Sequence, residues 1–312
     1  MYTDLQVVGL GMCTLDVLLR LKDMPSWEHG TRINEFRIDG GGPVGTAMVT
    51  SARLGAKVGF IGTAGNDESA EIKLRTMVEA GIDLSRLARR PYPDDQVIIV
   101  HVHSDTGERV FSGVGNLQRQ PLSIDELDKD YITSAEYLHL DGFHFESALQ
   151  SAKWMRSAGK KVVLDGHKTS GSVGKHLCDL IEYVDVLISG SGFAKGLTGI
   201  PDINEAGKKI LDLGPSIFVQ TEGEDGSYTV TADMCFHTPA CKVDVVDTTG
   251  AGDVFHGAYI VGLLKRWNLE QIALFSTAVS AIECTKLGGR IGIPNFDEVM
   301  SFLNNRGINN FK

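Results

Sequence analysis

Short apolar runs of strand length alternate along this chain with longer segments of helical periodicity. Continuous apolar runs are typical of parallel strands that other elements cover on both faces of a sheet. Glycine follows several of the helical segments, as at Gly55, Gly81 and Gly159, where C-terminal caps belong. The alternation therefore predicts an α/β fold that is doubly wound around a mostly parallel sheet. The predicted strands are 5–10, 58–61, 137–140, 162–164, 186–188 and 217–219, and the predicted helices are 44–54, 69–79, 147–158, 204–213, 250–265 and 269–286.

Two segments interrupt this alternation, at residues 32–38 and 96–111, and both have the polar alternation of exposed strands. The second segment contains Ser-Asp-Thr-Gly at 104–107, which is typical of a hairpin turn. We expect one small β-sheet that folds over the site as a lid, with its strands at about 30–39 and 96–112. Edge strands of the main sheet are the alternative. No linker separates domains, so a single domain over residues 1–312 is expected.

Composition excludes several classes of protein. The net charge is −10 and the isoelectric point is near 5.4, which argues against a nucleic-acid partner because phosphate binding needs basic patches. No apolar run has the length of a membrane span, and the N-terminus lacks the pattern of a signal peptide. The five cysteines show no C-x-x-C spacing, which fits free thiols in a reducing compartment. A cytoplasmic location is expected.

The strongest functional signal is the segment Asp-Thr-Thr-Gly-Ala-Gly-Asp that starts at Asp247, between a strand-like stretch at 243–246 and an apolar helical pattern. Its glycines are predicted at a helix N-terminus, where free backbone N–H groups and the helix dipole bind anions. Asp253 would then lie beside an incoming phosphoryl group, where a carboxylate can take a proton from an attacking hydroxyl. A capped helix without function is the plain alternative. The predicted anion hole consists of Gly250, Ala251 and Gly252.

This segment, continued through Ile260, closely resembles the carboxy-terminal signature of the ribokinase and phosphofructokinase-B family of carbohydrate kinases. The resemblance extends over nearly the whole chain. It implies a ribokinase-like three-layer fold with a small β-sheet lid, and ATP-dependent phosphorylation of a sugar hydroxyl with Mg²⁺. It also implies that Asp253 is the catalytic base and that the preceding glycines form the anion hole.

The expected substrate pocket also follows from the resemblance. Residues 9–16 are similar to the first strand of the family and to the aspartate that holds sugar hydroxyls, and residues 40–47 are similar to its Gly-Gly motif. Gly45 stands where the family usually has Asn, so we expect open space at this position. Asp141 follows a strand at the edge where open α/β sheets bind ligands. The implied substrate contacts are Asp16, Gly40, Gly41, Gly42, Gly45, Arg109 and Asp141.

Nucleotide and metal contacts are implied in the same way. Residues 219–226 resemble the nucleotide loop of the family, and many members bind a monovalent cation such as K⁺ at the residues matching Asp247 and Thr249. The Asn-x-x-Glu motif of many members is absent after the strand 186–188, so Mg²⁺ would be held by ATP and water, with Asp165 as an indirect ligand. The implied ATP contacts are Thr221, Gly223, Gly226, Gly252 and Thr277.

The substrate class is the finest expectation. The glycine-rich segments most resemble the branch that contains sulfofructose kinase, which implies a ketose or an anionic sugar derivative phosphorylated at a primary alcohol. Arg37, Arg109 or His144 would then neutralise the anionic group. A nucleoside kinase of the same fold and a non-catalytic sugar-binding protein are alternatives. A Rossmann oxidoreductase fails because Thr14 occupies the third glycine position. Lid strands of this family often pair between subunits, which implies a homodimer.

Overall fold

The structure of the protein is a computed structural model, which describes residues 4–113, 120–309 and 311. The strands are β1 (Val7–Leu10), β2 (Thr14–Leu21), β3 (Ile33–Gly41), β4 (Val58–Ile61), β5 (Thr63–Ala64), β6 (Ala88–Arg89), β7 (Val97–His103), β8 (Arg109–Gly113), β9 (Tyr137–Leu140), β10 (Lys161–Asp165), β11 (Val186–Ser189), β12 (Ile217–Thr221), β13 (Ser227–Val230) and β14 (Cys235–Thr238). The helices are α1 (Pro43–Arg53), α2 (Glu68–Glu79), α3 (Lys129–Ser134), α4 (Phe145–Ser157), α5 (Lys175–Ile181), α6 (Phe193–Thr198), α7 (Ile203–Leu211), α8 (Ala251–Leu264), α9 (Leu269–Glu283) and α10 (Phe296–Asn304).

The main sheet has eight strands in the order β14-β13-β12-β11-β10-β9-β1-β4. All neighbours from β4 to β12 are parallel, and β13 and β14 extend the sheet with antiparallel pairs. Strand β1 lies between β9 and β4, with Val7 opposite both Tyr137 and Val58. The prediction of an α/β fold around a mostly parallel sheet is confirmed.

Helices cover both faces of this sheet. Successive residues of a strand point to opposite faces, so each strand contributes apolar side chains to both layers of helices. Val7 belongs to the apolar cluster formed with α1, α2, α8, α9 and α10, whereas Val8 belongs to the cluster formed with α3 to α7. Val163 and Leu164 divide between the same two clusters. The result is the expected three-layer fold, with two cores separated by one sheet.

The small sheet has four strands in the order β3-β2-β7-β8. The predicted strand segments join in this one sheet, and the turn at 104–107 links β7 to the antiparallel β8. Its inner strand β2 was not predicted, because the apolar residues of Thr14–Leu21 do not alternate strictly and read as an extension of the first strand. The small extra sheet is thus confirmed, and its action as a lid stays a prediction.

One predicted strand is wrong. Residues 243–246 form no strand in the described part of the chain. Instead, the Val246 N–H donates to the Cys284 carbonyl at 2.9 Å, so this stretch lies against the C-terminal end of α9. Val245 remains 48% exposed, which shows that its apolar side chain joins no sheet core.

Candidate active site

Several acidic and polar side chains lie where parallel strands of the main sheet end. Asp141 directly follows β9, Asp165 is the last residue of β10, and Ser189 is the last residue of β11. The carboxyl ends of parallel strands meet at one edge, which is where open α/β sheets bind ligands. Asp16 lies on β2, at the base of the small sheet, and Asp253 lies in the first turn of α8.

The N-terminus of α8 has the geometry of an anion site. Gly250 has a φ of 83°, a left-handed conformation that favours glycine, and a Cβ there would come within 2.8 Å of the Gly289 Cα. By contrast, no heavy atom lies within 4 Å of the position that a Cβ of Gly252 would occupy. The first N–H groups of a helix have no intrahelical acceptor. The first turn of α8 therefore faces space in which an anion can approach these groups.

Asp253 is half-buried in the first turn of α8. Burial, and after it the nearby charge of Asp165, raise the pKa of its carboxyl to about 7. The positive charges of His167 and Arg109 act in the opposite direction. A carboxyl with a pKa close to neutrality can accept a proton and release it again at physiological pH.

A cluster of acid and imidazole groups next to Asp253 was not predicted. Asp165 is 5% exposed, and its oxygens lie 3.5 Å from His167 Nδ1 and 3.6 Å from His256 Nε2. Burial works to raise the pKa of Asp165, but the two histidines outweigh it and hold this pKa below its usual value. Two spacings could have signalled the cluster, since His167 follows Asp165 by two residues and His256 follows Asp253 by one helical turn.

Asp16 lies buried against the glycine-rich segment that precedes α1. Its carboxylate accepts a hydrogen bond from Thr14 Oγ1 at 2.6 Å, and a Cβ on Gly41 would collide with it. Burial raises the pKa of Asp16 to about 6, although Thr14 and the charge of Arg290 act to lower it. The structure thus brings Asp16 and Gly41 into direct contact, as expected for neighbours in one pocket.

The expected open space at Gly45 is not there, which corrects that interpretation. A Cβ on Gly45 would collide with Nη2 of Arg290 and would lie 3.2 Å from the Cys13 side chain. A Cβ on Gly40 would likewise collide with Nη1 of Arg290. A buried guanidinium therefore fills the space that a sugar was expected to enter. Sequence reasoning did not single out Arg290.

Other predicted substrate residues differ in their surroundings. Gly42 has a φ of 86°, and a Cβ there would come within 2.7 Å of the Met12 carbonyl oxygen, so the sharp turn before α1 requires glycine. Asp141 is 1% exposed and accepts hydrogen bonds from the N–H groups of Met12 at 2.8 Å and of Phe143 at 2.9 Å. The geometry favours a structural task for Asp141, in which it joins the ends of β1 and β9.

The three cationic side chains that were expected near an anionic substrate lie in different surroundings. The Arg109 guanidinium donates to Thr248 Oγ1 at 2.5 Å, and its charge acts on Asp253. Arg37 is half-buried beside Gly288. His144 is 2% exposed, and burial lowers its pKa to about 4. His144 is therefore neutral at pH 7, which overturns the hypothesis that it neutralises an anion.

The predicted nucleotide loop lies where β12 ends. Thr221 Oγ1 donates to the Ser189 carbonyl at 3.2 Å, and Gly223 has a φ of 57° at the start of a single 3₁₀ turn. Gly226 has a φ of 95°, and a Cβ there would collide with the Thr238 carbonyl, so only glycine fits. Thr277 is buried on α9 and donates to the Ala273 carbonyl at 2.8 Å.

The residues expected at a monovalent cation site are in contact. Asp247 is fully buried and accepts hydrogen bonds from the Thr249 N–H at 2.9 Å, from Thr249 Oγ1 at 2.7 Å and from the Gly288 N–H at 2.9 Å. These bonds fix the loop before α8 to the loop after α9. Across residues 4–113, 120–309 and 311, no group of three or more His, Cys, Asp or Glu side chains is arranged to hold a metal ion.

Residues 5–295 match the pfkB family carbohydrate kinase, and the chain belongs to this family. The protein is therefore an ATP-dependent sugar or nucleoside kinase, a phosphotransferase. The resemblance drawn from the motifs is confirmed, as is the class of enzyme.

Relatives and solved structures support the same assignment. The chain is 29% identical to an aminoimidazole riboside kinase of Salmonella typhimurium, covering 86% of this chain and 89% of the relative. It is 26% identical to an ATP-dependent ribose-1-phosphate kinase of Halopiger xanaduensis, covering 96% and 99%. The crystal structure of ribokinase from Thermotoga maritima has a TM-score of 0.83 and 26% identity, covering 96% and 100%. These proteins act on different substrates, so they leave the acceptor of this chain open.

The enzyme uses ATP as its phosphoryl donor. Two proteins of this fold, ribokinase of Arabidopsis thaliana and a putative ribokinase II of E. coli, have been solved with ATP, the second also with Mg²⁺. A Mg²⁺ ion that is bound to nucleotide phosphates keeps several waters. Asp165 is the acidic group next to Asp253 that could bond to such a water. Each helix in the described part of the chain is too short or too polar to cross a lipid bilayer.

Proposed function

We propose that this kinase transfers the γ-phosphoryl group of ATP to a primary alcohol of a ketose or of an anionic sugar derivative, with Asp253 as the base. The observation that supports this most is the position of Asp253. Its carboxyl lies in the first turn of α8, directly after Gly250, Ala251 and Gly252, and its pKa is raised to about 7. A carboxyl with this pKa is about half in its carboxylate form at pH 7, and it is a stronger base than an ordinary aspartate, which suits it to take a hydroxyl proton.

In the proposed mechanism, Asp16 accepts hydrogen bonds from neighbouring hydroxyls and holds the acceptor alcohol toward Asp253. As the alcohol oxygen bonds to the γ-phosphorus, its proton passes to Asp253 and the bond to the β-phosphate oxygen breaks, which releases ADP. The first N–H groups of α8 bind the negative charge of the phosphates. Bound Mg²⁺ supplies further neutralisation of that charge. Such transfer depends mainly on positioning and charge stabilisation.

Further contacts belong to the same proposal. ATP is bound by Thr221, Gly223 and Gly226 on one side of the nucleotide, and by Gly252 and Thr277 on the other. A monovalent cation such as K⁺ binds at Asp247 and Thr249. Gly40, Gly41 and Gly42 shape the acceptor pocket, together with Gly45 and Asp141 behind it. The small sheet acts as a lid.

Arg109 is the residue that favours an anionic acceptor. It is exposed on β8, it is bonded to Thr248 next to the anion hole, and its charge acts on Asp253. A guanidinium in this place can form charge-assisted hydrogen bonds to a phosphate or sulfonate. A nucleoside acceptor is the second candidate, because a relative of 29% identity phosphorylates aminoimidazole riboside according to its name.

A panel of acceptors tests the proposal. ATP consumption is measured with fructose, fructose 6-phosphate, sulfofructose, ribose, 2-keto-3-deoxygluconate, adenosine and aminoimidazole riboside. We expect the highest kcat/KM with an anionic ketose derivative. Preference for either nucleoside would overturn the sugar assignment. Equal kcat/KM for fructose and its anionic derivatives would overturn only the anionic part.

A further inference from the structure

Arg290 is a fully buried arginine in the loop that follows α9. All five N–H bonds of a guanidinium are donors, and here each has an acceptor. Nε donates to Thr46 Oγ1 at 3.3 Å, and Nη1 donates to the Lys73 carbonyl at 3.1 Å and to Thr76 Oγ1 at 2.9 Å. Nη2 donates to the Gly41 carbonyl and, at 3.4 Å, to Cys13 Sγ. No donor is left for a substrate.

The acceptors of this guanidinium are all uncharged. Among the described residues no carboxylate forms an ion pair with Arg290, although its charge acts on the nearby carboxyl of Asp16 and lowers the pKa of that group. Burying a charge is costly, and apolar side chains of similar volume often fill such a space at no loss of stability. If Arg290 only filled space, an apolar residue would do so without the free-energy cost of burying a charge. This cost therefore indicates that Arg290 has a role in the site.

The glycine-rich segment before α1 is shaped around Arg290. A side chain on Gly40 would collide with Nη1, and a side chain on Gly45 would collide with Nη2. The carbonyl of Gly41 accepts a bond from Nη2, while the other face of Gly41 lies against the Asp16 carboxylate. Moving Arg290 would thus move the backbone on which Asp16 rests.

The backbone of the same loop reaches the anion hole. A Cβ on Gly250 would come within 2.8 Å of the Gly289 Cα, and the Gly288 N–H donates to Asp247 at 2.9 Å. The N–H of Arg290 itself donates to Asp39, at the end of β3, at 3.3 Å. One short loop therefore touches the start of α8 on one side and the glycine-rich segment on the other.

We propose that Arg290 is a positioning residue, which fixes the Gly40–Gly45 turn and Asp16 at the distance from the anion hole that acceptor phosphorylation requires. This inference rests on the proposed role of Asp16 in binding the acceptor. It assigns the glycines at 40 and 45 the task of admitting the guanidinium. The identity of residue 45 is then tied to Arg290, and neither can change alone without displacing the acceptor.

Steady-state kinetics of Arg290→Met and Arg290→Lys, with the best acceptor of the panel, test the proposal. A misplacement of about 1 Å can cost ~10²-fold in rate, so we expect the acceptor KM to rise at least tenfold in both variants. The KM for ATP should stay within about twofold, because Gly288 and Gly289, and not the side chain of Arg290, contact the start of α8. Lysine keeps the charge but has three donors, so failure of Arg290→Lys to restore the KM would identify the five-bond geometry as the cause.

Arg266→Met is the matched control. Arg266 bonds to Glu136 at 2.6 Å and to the Tyr137 hydroxyl at 3.4 Å, at the start of β9 and therefore at the opposite edge of the sheet. Both KM values should be unchanged in this variant. If Arg290→Met or Arg290→Lys lowers the Tm but leaves the acceptor KM like that of Arg266→Met, Arg290 is merely structural and the proposal is wrong.

A double-mutant cycle of Gly45→Ala and Arg290→Met provides a second test, which measures the coupling between the two positions directly. Gly45→Ala alone should raise the acceptor KM, whereas in the Arg290→Met background it should add little, because the collision is gone. Additive effects would overturn the proposed link. Asp16→Asn separates the two hypotheses: an unchanged acceptor KM in that variant would refute the role of Asp16 itself, whatever Arg290 does.

Discussion

At the scale of single residues, Asp253 carries the most direct prediction. Asp253→Asn keeps the size of the side chain but cannot take a proton, so kcat should fall by ~10²–10⁴-fold. ATP should still bind with wild-type Kd, since the anion hole consists of backbone groups. Calorimetric titration with ATP and single-turnover assays would measure the two effects. Asp179→Asn, at an exposed ion pair on α5, is the control.

The pKa of Asp253 also predicts a pH dependence. The carboxylate form is the active base, and burial raises its pKa to about 7. Activity should therefore be complete well above pH 7 and should fall about tenfold per pH unit below it. The logarithm of kcat/KM against pH, measured with an acceptor that does not titrate in this range, gives the value. A midpoint close to pH 4 would contradict the described environment of Asp253.

At the scale of the element, the two glycines at the start of α8 should respond differently to substitution by valine. Gly252 faces open space, so Gly252→Val should fold normally but block the phosphate, at a loss of roughly 3–4 kcal/mol of barrier lowering. Gly250 has a φ of 83° and touches Gly289, so Gly250→Val should cost at least ~1–3 kcal/mol of stability. Thermal unfolding and kcat, measured on both variants, distinguish the two effects. Unfolding of Gly252→Val would favour a purely structural helix start.

Local signals explain which elements could be predicted. The segment from Asp247 to Asp253 is contiguous, so the turn and the helix start could be predicted from one stretch of sequence, although the strand expected before them is absent. The role of Arg290 could not be predicted from the sequence, because its hydrogen bond to the Gly41 carbonyl joins residues that are 249 positions apart. The cluster of Asp165 with His167 and His256 forms for the same reason only when β10 meets α8. The spacing of Asp165 and His167 indicates only that these two residues are neighbours, and it does not show which distant helix they contact.

At the scale of the whole molecule, the outer surface of the small sheet bears on assembly. Large apolar side chains on β3 and β8 are exposed, and contiguous apolar surface on a soluble protein commonly marks an interface. We expect a homodimer formed through this sheet, and Phe36→Asp combined with Val110→Asp, which lie in one cross-strand row of the outer face, should yield monomers. Sedimentation equilibrium measures the mass in both cases. A monomeric wild type at micromolar concentration would contradict the expectation. The exposed apolar residues of the outer face include Phe36, Ile38 and Val110, whereas Phe111 lies on the other face, opposite the buried Val100.

The position of β1 has a consequence for biosynthesis. This strand is made before both of its neighbours in the sheet, β4 and β9, and Asp247 and Arg290 follow much later in the chain. During translation, the apolar strand β1 therefore stays unpaired until β4 and β9 have been synthesised. Sheets built from strands that are distant in sequence fold slowly, and they expose aggregation-prone hydrophobic surface until folding is complete. The nascent protein should depend on chaperones, and a ribosome that stalls before residue 288 should release a product without kinase activity, because it lacks the loop that supports the start of α8.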